Sequence, residues 1–298
     1  MDAPELGESK SITPTEQDLI DIMYQAENYM TCSCNNVRSF YQSCLNRAAA
    51  RHFNTLFDIA FSSYTYSDLD LVCPLIAAAE YGNTHALRKI IERSKEAINY
   101  VCVQHSDCKR RGTALVLASS KGHSDVVSYL LLWGADPHIG TGTEQFPLIQ
   151  AIKNDKSTCT QVLLEGRVKN KANPNCEAPD EMFGSLLHWA LSLGNRNAHV
   201  KHLIENGAAI NFMRKGKKYE QEGTPLMVAV AYANLDGVKM LLDAKADISV
   251  KKTFNRHTAK QQAALSWHIE SNPEKKNTRH QILSLLTSAE SNSLGILP

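Results

Sequence analysis

Near the start of the chain, Cys32, Cys34, Cys44 and His52 are the side chains best suited to hold a metal ion. Structural zinc favours Cys-x2-Cys pairs, whereas Cys32-Ser33-Cys34 leaves one residue between its thiols, and the remaining spacing matches no common zinc pattern. The plainer reading is free cysteines packed between helices. A second group, Cys102-Val-Gln-His105-Ser-Asp-Cys108, offers three ligands and lacks a fourth. Nucleophilic catalysis by a thiol would need a histidine and an orienting third group to meet it in space. With eight cysteines and eleven histidines, chance pairs are expected, and no family signature surrounds any cysteine. Gly-x-Ser-x-Gly, a glycine-rich phosphate loop and His-Glu-x-x-His are all missing from the sequence. No catalytic residue, metal ligand or cofactor is therefore expected. An enzyme with a thiol or metal site in the N-terminal region is the competing class.

Bulk charge narrows the partner. Lysine and arginine number 32 against 31 acidic residues, a net charge of +1. That balance argues against a chain whose business is neutralising phosphates. The local basic spots, Arg110-Arg111 and Arg214-Lys215-Gly216-Lys217-Lys218, are better matched to an acidic protein patch than to nucleic acid. A nucleic-acid-associated regulator would instead show binding with a steep salt slope. No run of about 18 apolar residues suggests a membrane span. The first thirty residues are acidic and polar, with no Sec-type signal expected. Scattered cysteines without a secretion signal point to free thiols in a reducing cytosol.

What positions these side chains is a repeat. "CPLIAAAEYGN", "TALVLASSKGH", "FPLIQAIKNDK", "SLLHWALSLGN", "TPLMVAVAYAN" and "TAKQQAALSWH" align with their second residues at 74, 114, 147, 186, 225 and 259, in steps of 40, 33, 39, 39 and 34. Each is followed by a second amphipathic segment, such as "ALRKIIERS" or "VKMLLDAK". Thr224-Pro225 supplies a capping hydroxyl and a pre-set φ for a helix start. Gly134-Ala135-Asp136 supplies a left-handed turn at a helix end. The excess over 33 residues falls near "CVQHSD", "GRVKN" and "RKGKK", in loops. Ahead of the repeats, Thr13-Pro14-Thr15-Glu16 reads as a capping box opening a helix with Leu19, Ile22, Met23, Ala26 and Met30 on one face. Residues 37–61 read as two more helices, a degenerate repeat.

The landmarks "TPL" (224–226), "LHWA" (187–190), "GADPH" (134–138) and "NGAAIN" (206–211) resemble the ankyrin repeat. The resemblance covers residues from about 70 to 287. It implies an all-α ankyrin-repeat solenoid of helix-turn-helix units with hairpin-like fingers. An N-terminal helical cap spans residues 1–70, and repeats follow at about 71–107, 108–140, 141–177, 178–213, 214–252 and 253–287. The last of these is a divergent cap, and 288–298 is a flexible tail. Histidines at the places of His123 and His188 serve loop hydrogen bonds in this family, and His199 and His202 read as surface or packing residues. Family contacts come from finger tips, exposed ends of first helices and the residue before the closing glycine. On this chain those places are Tyr81, Arg110, Arg111, Lys121, Trp133, Asn154, Leu193, Lys217, Tyr219 and Tyr232. Trp133 equally suits local packing.

The function implied is non-catalytic recognition of a protein, by a monomer binding through its concave groove. The irregular steps and helical front resemble the ankyrin effectors that bacteria deliver into the host cytoplasm by type IV secretion. The tail "SAESNSLGILP" fits such an export signal. A eukaryotic cytosolic adaptor would carry the same landmarks.

Overall fold

Helix pairs account for nearly all of the secondary structure. The computed structural model describes residues 15–21, 34–105, 108–140, 146–165, 170–177, 184–214, 223–252 and 255–293. The chain divides into two compact units, Met1–Ala97 and Ile98–Pro298.

In the first unit, residues 16–21 form α1, followed by α2 (Cys34–Arg51), α3 (Asn54–Ser63), α4 (Asp68–Tyr81) and α5 (Thr84–Arg93). The cap of α1 lies two residues later than the sequence suggests. Thr15 and Asp18 exchange the hydrogen bonds of a capping box, Glu16 instead accepts the Leu56 amide, and Thr13 falls outside the described residues. Leu19 and Ile20 are buried, while Ile22, Met23, Ala26 and Met30 also lie outside the described residues.

Helix α4 departs further from the expected start at Pro74. It opens at Asp68 under a Ser67–Asp70 capping box and runs straight through the proline. A proline there deprives the carbonyl four residues back of its amide partner. Gln42 Nε2 replaces that amide, donating to the Asp70 carbonyl at 2.6 Å, and Arg38 grips the Asp70 carboxylate at 2.6 Å. The expected degenerate repeat is a complete pair, α2 and α3, turning at His52 in the left-handed region (φ 58°). Aromatic stacking adds to this unit's largely aliphatic core, with Tyr41 on Tyr64 and Phe57 on Phe61 at 5.7 and 5.4 Å.

The second unit begins with a hairpin, β1 (Cys102–His105) and β2 (Cys108–Gly112), antiparallel with Val103 opposite Arg111. Five pairs follow: α6 (Ala114–Lys121) and α7 (Ser124–Leu132); α8 (Pro147–Lys153) and α9 (Ser157–Glu165); α10 (Leu186–Ser192) and α11 (Asn197–Glu205); α12 (Pro225–Ala231) and α13 (Leu235–Asp243); α14 (Ala259–Ile269) and α15 (Pro273–Ser293). First helices pack on first helices, as α6 on α8 and α12 on both α10 and α14. Second helices do likewise, as α9 on both α7 and α11. Leu186, Leu203, Leu226 and Leu241 are among the buried residues that fill the layers between them. The inserted loops are pinched at their roots by single bridges, Glu177 to Ser185 and Arg214 to Gly223. Helix α15 continues through the start of the expected tail, with Glu290 paired to Lys260 at 2.6 Å.

Two kinds of contact recur between neighbouring pairs within the units. The last turn of a helix leaves carbonyls without amide partners. Side chains of the following pair fill that need: Asn83 on Ala49, Arg196 on Ile152 and Lys153, Asn234 on Leu191, Arg279 on Val230 and Ala231. At the other end of the pairs, Asn99 donates to the Gly134 carbonyl and accepts the Asp136 amide. Asn175 does the same with Gly207 and Ala209, and Asn211 accepts the Asp247 amide. His138 takes this place in its own repeat and reaches the Lys171 carbonyl at 3.2 Å.

Candidate functional site

The array of polar groups most like a catalytic one lies on α9 and α11. His199 sits between Thr160 Oγ1, 2.8 Å from its Nδ1, and Asp155 Oδ1, 3.1 Å from its Nε2. Hydroxyl, imidazole and carboxylate thus stand in the order of a nucleophile triad. Thr160 and His199 are both fully buried, so no substrate can reach the hydroxyl. Asp155 occupies the left-handed turn between α8 and α9 (φ 58°), and its carboxylate takes a further contact from Arg196 at 3.3 Å. The array holds a turn in place of glycine. Burial depresses the His199 basicity, against the pull of Asp155.

His188 is equally committed. Its Nε2 donates to the Gly223 carbonyl at 3.1 Å, leaving Nδ1 to accept from Ser185 Oγ at 2.6 Å. Burial lowers its pKa to about 4, so it is neutral. Burial also pushes the Cys44 thiol up and takes Cys159 and Cys176 to about 11. A reactive cysteine needs the opposite shift. Of the first metal candidates, His52 Nε2 donates to the Tyr81 carbonyl at 2.8 Å. Cys32 is outside the described residues, and the side chains of Cys34, Cys102, His105 and Cys108 are outside the described side chains.

The residues expected to face a partner fall into separate places. Lys121, Asn154, Leu193 and Tyr232 each sit at the end of a first helix, immediately before the turn residue Gly122, Asp155, Gly194 or Ala233. They form one row across four successive repeats, and Asn154 Nδ2 reaches Ser120 Oγ of the preceding repeat at 3.1 Å. Tyr81 holds the same place before Gly82 in the first unit, exposed at the end of α4. Trp133 ends a second helix instead, which puts it at the opposite end of its pair. It is half-buried, with its ring 5.9 Å from Tyr129 one turn earlier. The side chains of Arg110 and Arg111 on β2, and residues Lys217 and Tyr219, lie outside the description.

The sequence reading missed the continuation of the row. Helix α14 runs to Ile269, past the register at which the other first helices end. Leu193 is 38% exposed and Tyr232 51%, and α14 adds Leu265 at 51% and Ile269 at 84%. Leu265 stands seven residues after its N-cap Thr258, as Ala231 stands after Thr224. Four large apolar side chains on three adjoining helices thus face water. Reading the last unit as a polar cap hid them.

Among the described residues, no helix is long and apolar enough to cross a membrane. Residues 45–141 and 148–252, more than half of the chain, match the family described as ankyrin repeats (3 copies). The ankyrin repeat domain of human ASB11 superposes with a TM-score of 0.55 at 20% identity, covering 80% of this chain and 96% of that one. The ankyrin repeat domain of Bcl-3, a member of the IkappaB protein family, superposes with a TM-score of 0.57 at 21% identity, covering 72% and 85%. A stretch of 154 residues is 29% identical to human neurogenic locus notch homolog protein 1, covering 42% of this chain and 6% of that protein's length. The chain thus spans a small part of that relative. Ankyrin repeats are protein–protein interaction modules, built from the paired helices and left-handed turns seen here. The all-α fold and the family match agree, and the chain belongs to the ankyrin-repeat family.

Proposed function

We propose that the second unit binds a partner protein through the first-helix row of Lys121, Asn154, Leu193 and Tyr232, extended by Leu265 and Ile269. The observation that carries this reading is the exposure of four large apolar side chains on the adjoining helices α10, α12 and α14. Fully burying one such side chain is worth about 1.5–3 kcal/mol before the costs of association. A contiguous group is what an interface core needs, and a tyrosine is a frequent anchor. Exposed Lys121 and Lys153 at the other end of the row suit an acidic patch on the partner.

The test is affinity capture from eukaryotic lysate by wild type beside Leu193→Ser/Tyr232→Ala/Ile269→Ser, with circular dichroism on both. All three positions are exposed, so the variant is expected to fold. Loss of a partner held by wild type, with affinity reduced at least tenfold, supports the surface. Equal retention by the folded variant overturns it. The same surface would serve a resident cytosolic adaptor or a protein delivered into a host cell. The species in which the captured partner occurs separates these two readings.

A further inference from the structure

On the second helices, away from that row, three side chains of two successive repeats converge. Glu165 ends α9, while His202 and Glu205 lie three apart on the adjoining α11. Residues at that spacing share one helical face. His202 Nδ1 stands 3.6 Å from Glu165 Oε1 and 3.9 Å from Glu205 Oε2. All three potential ligand atoms fall within 4.8 Å of one another.

The nitrogen itself is the informative atom. It is closed off from solvent and has no hydrogen-bond partner, although its side chain is 16% exposed. A buried polar atom left unbonded is costly and uncommon. An imidazolium paired with these carboxylates would draw one oxygen to about 2.7–2.9 Å. The two nitrogen–oxygen separations, 3.6 and 3.9 Å, are instead longer than that and near enough to the edge of a coordination tetrahedron, about 3.4 Å for zinc bonds of about 2.0–2.2 Å, for small side-chain movements to close on an ion.

The remaining carboxylate oxygens are held away from the nitrogen. Gln161 Nε2 donates to Glu165 Oε2 at 3.0 Å, and Lys201 Nζ lies 3.9 Å from Glu205 Oε1. Glu165 therefore keeps one oxygen for the centre, oriented by Gln161 on its own helix, and the Glu205 oxygen nearer His202 is the one farther from Lys201. One imidazole and two carboxylates favour a zinc-class ion over calcium or magnesium, which take oxygen ligands alone.

We propose that Glu165, His202 and Glu205 bind a zinc-class divalent cation that clips the second helix of one repeat to that of the next. Three protein ligands leave a fourth position for water or for a donor from a bound partner.

The experiment is calorimetric titration of the full, reduced, metal-free chain with Zn2+, wild type beside Glu165→Gln, Glu205→Gln and His202→Ala. The two glutamates are surface residues and their amide variants are expected to fold, which circular dichroism checks. The expected result is a saturable equivalent in wild type that weakens at least tenfold in each variant. A rise in wild-type Tm on adding Zn2+, by about 2–4 °C, should be missing in Glu165→Gln. Co2+ substitution should give a spectrum without thiolate charge transfer at this site. No saturable binding, binding unchanged in Glu165→Gln and His202→Ala, or a thiolate band tied to the titrated equivalent would overturn the assignment.

Discussion

At the scale of single residues, histidine does structural work as a neutral hydrogen-bonding bridge. His188 has a folded pKa near 4 against about 6.5 in an unfolded chain. The unfolded state therefore binds the extra proton between those values. The stability that neutral His188 contributes is complete above pH 6.5 and is lost as the pH falls towards 4. Between pH 7.5 and 5.0 the loss is on the order of 2 kcal/mol, and His199 adds to it with the same sign. Urea unfolding at the two pH values should show the midpoint falling. In His188→Gln the fall should be smaller, from a lower starting stability. An unchanged slope would mean that the ring is not held neutral by burial.

At the scale of elements, Asn99, Asn175 and Asn211, after three of the second helices, tie one repeat to the next. Asn175→Ala removes both the donor to Gly207 and the acceptor for Ala209. It should cost about 1–2 kcal/mol, read from the denaturation midpoint. Much at this scale was legible in advance. Thr224-Pro225 and Gly134-Ala135-Asp136 announced helix starts and ends because their backbone requirements are local. The pair α2–α3 was legible as helices, although its left-handed turn carries His52 rather than glycine. The start of α4 was not, because Pro74 looks like a first helical residue until Gln42, 32 positions earlier, is known to serve the Asp70 carbonyl. The reach of α14 was hidden for a related reason. Its capping box marks a start, but nothing nearby in sequence distinguishes the register at which it ends. Of the candidate surface, Leu193 and Tyr232 followed from the repeat alignment. Leu265 and Ile269, and the meeting of Glu165 with His202 of the following repeat, depend on contacts between repeats.

For the molecule as a whole, cohesion passes between neighbours. The main packing contacts of the second unit run between adjoining helices and neighbouring pairs, so stability should behave as a chain of local terms. Leu286 is buried on α15, which packs on α13 and α14. Leu286→Ala should cost about 2–5 kcal/mol. Its effect on hydrogen exchange should concentrate in α12 to α15 and leave α6 to α9 protected. Uniform loss of protection throughout the unit would show tighter coupling than the packing implies.

The carbonyls that end α2, α8, α10 and α12 are completed by Asn83, Arg196, Asn234 and Arg279, each of which lies later in the chain. During translation, which delivers the chain from its N-terminus, a newly emerged pair is therefore unfinished until the residue that completes it leaves the ribosome. At these four helix ends the dependence runs one way, so a pause in synthesis or a premature stop leaves the most recent of them open.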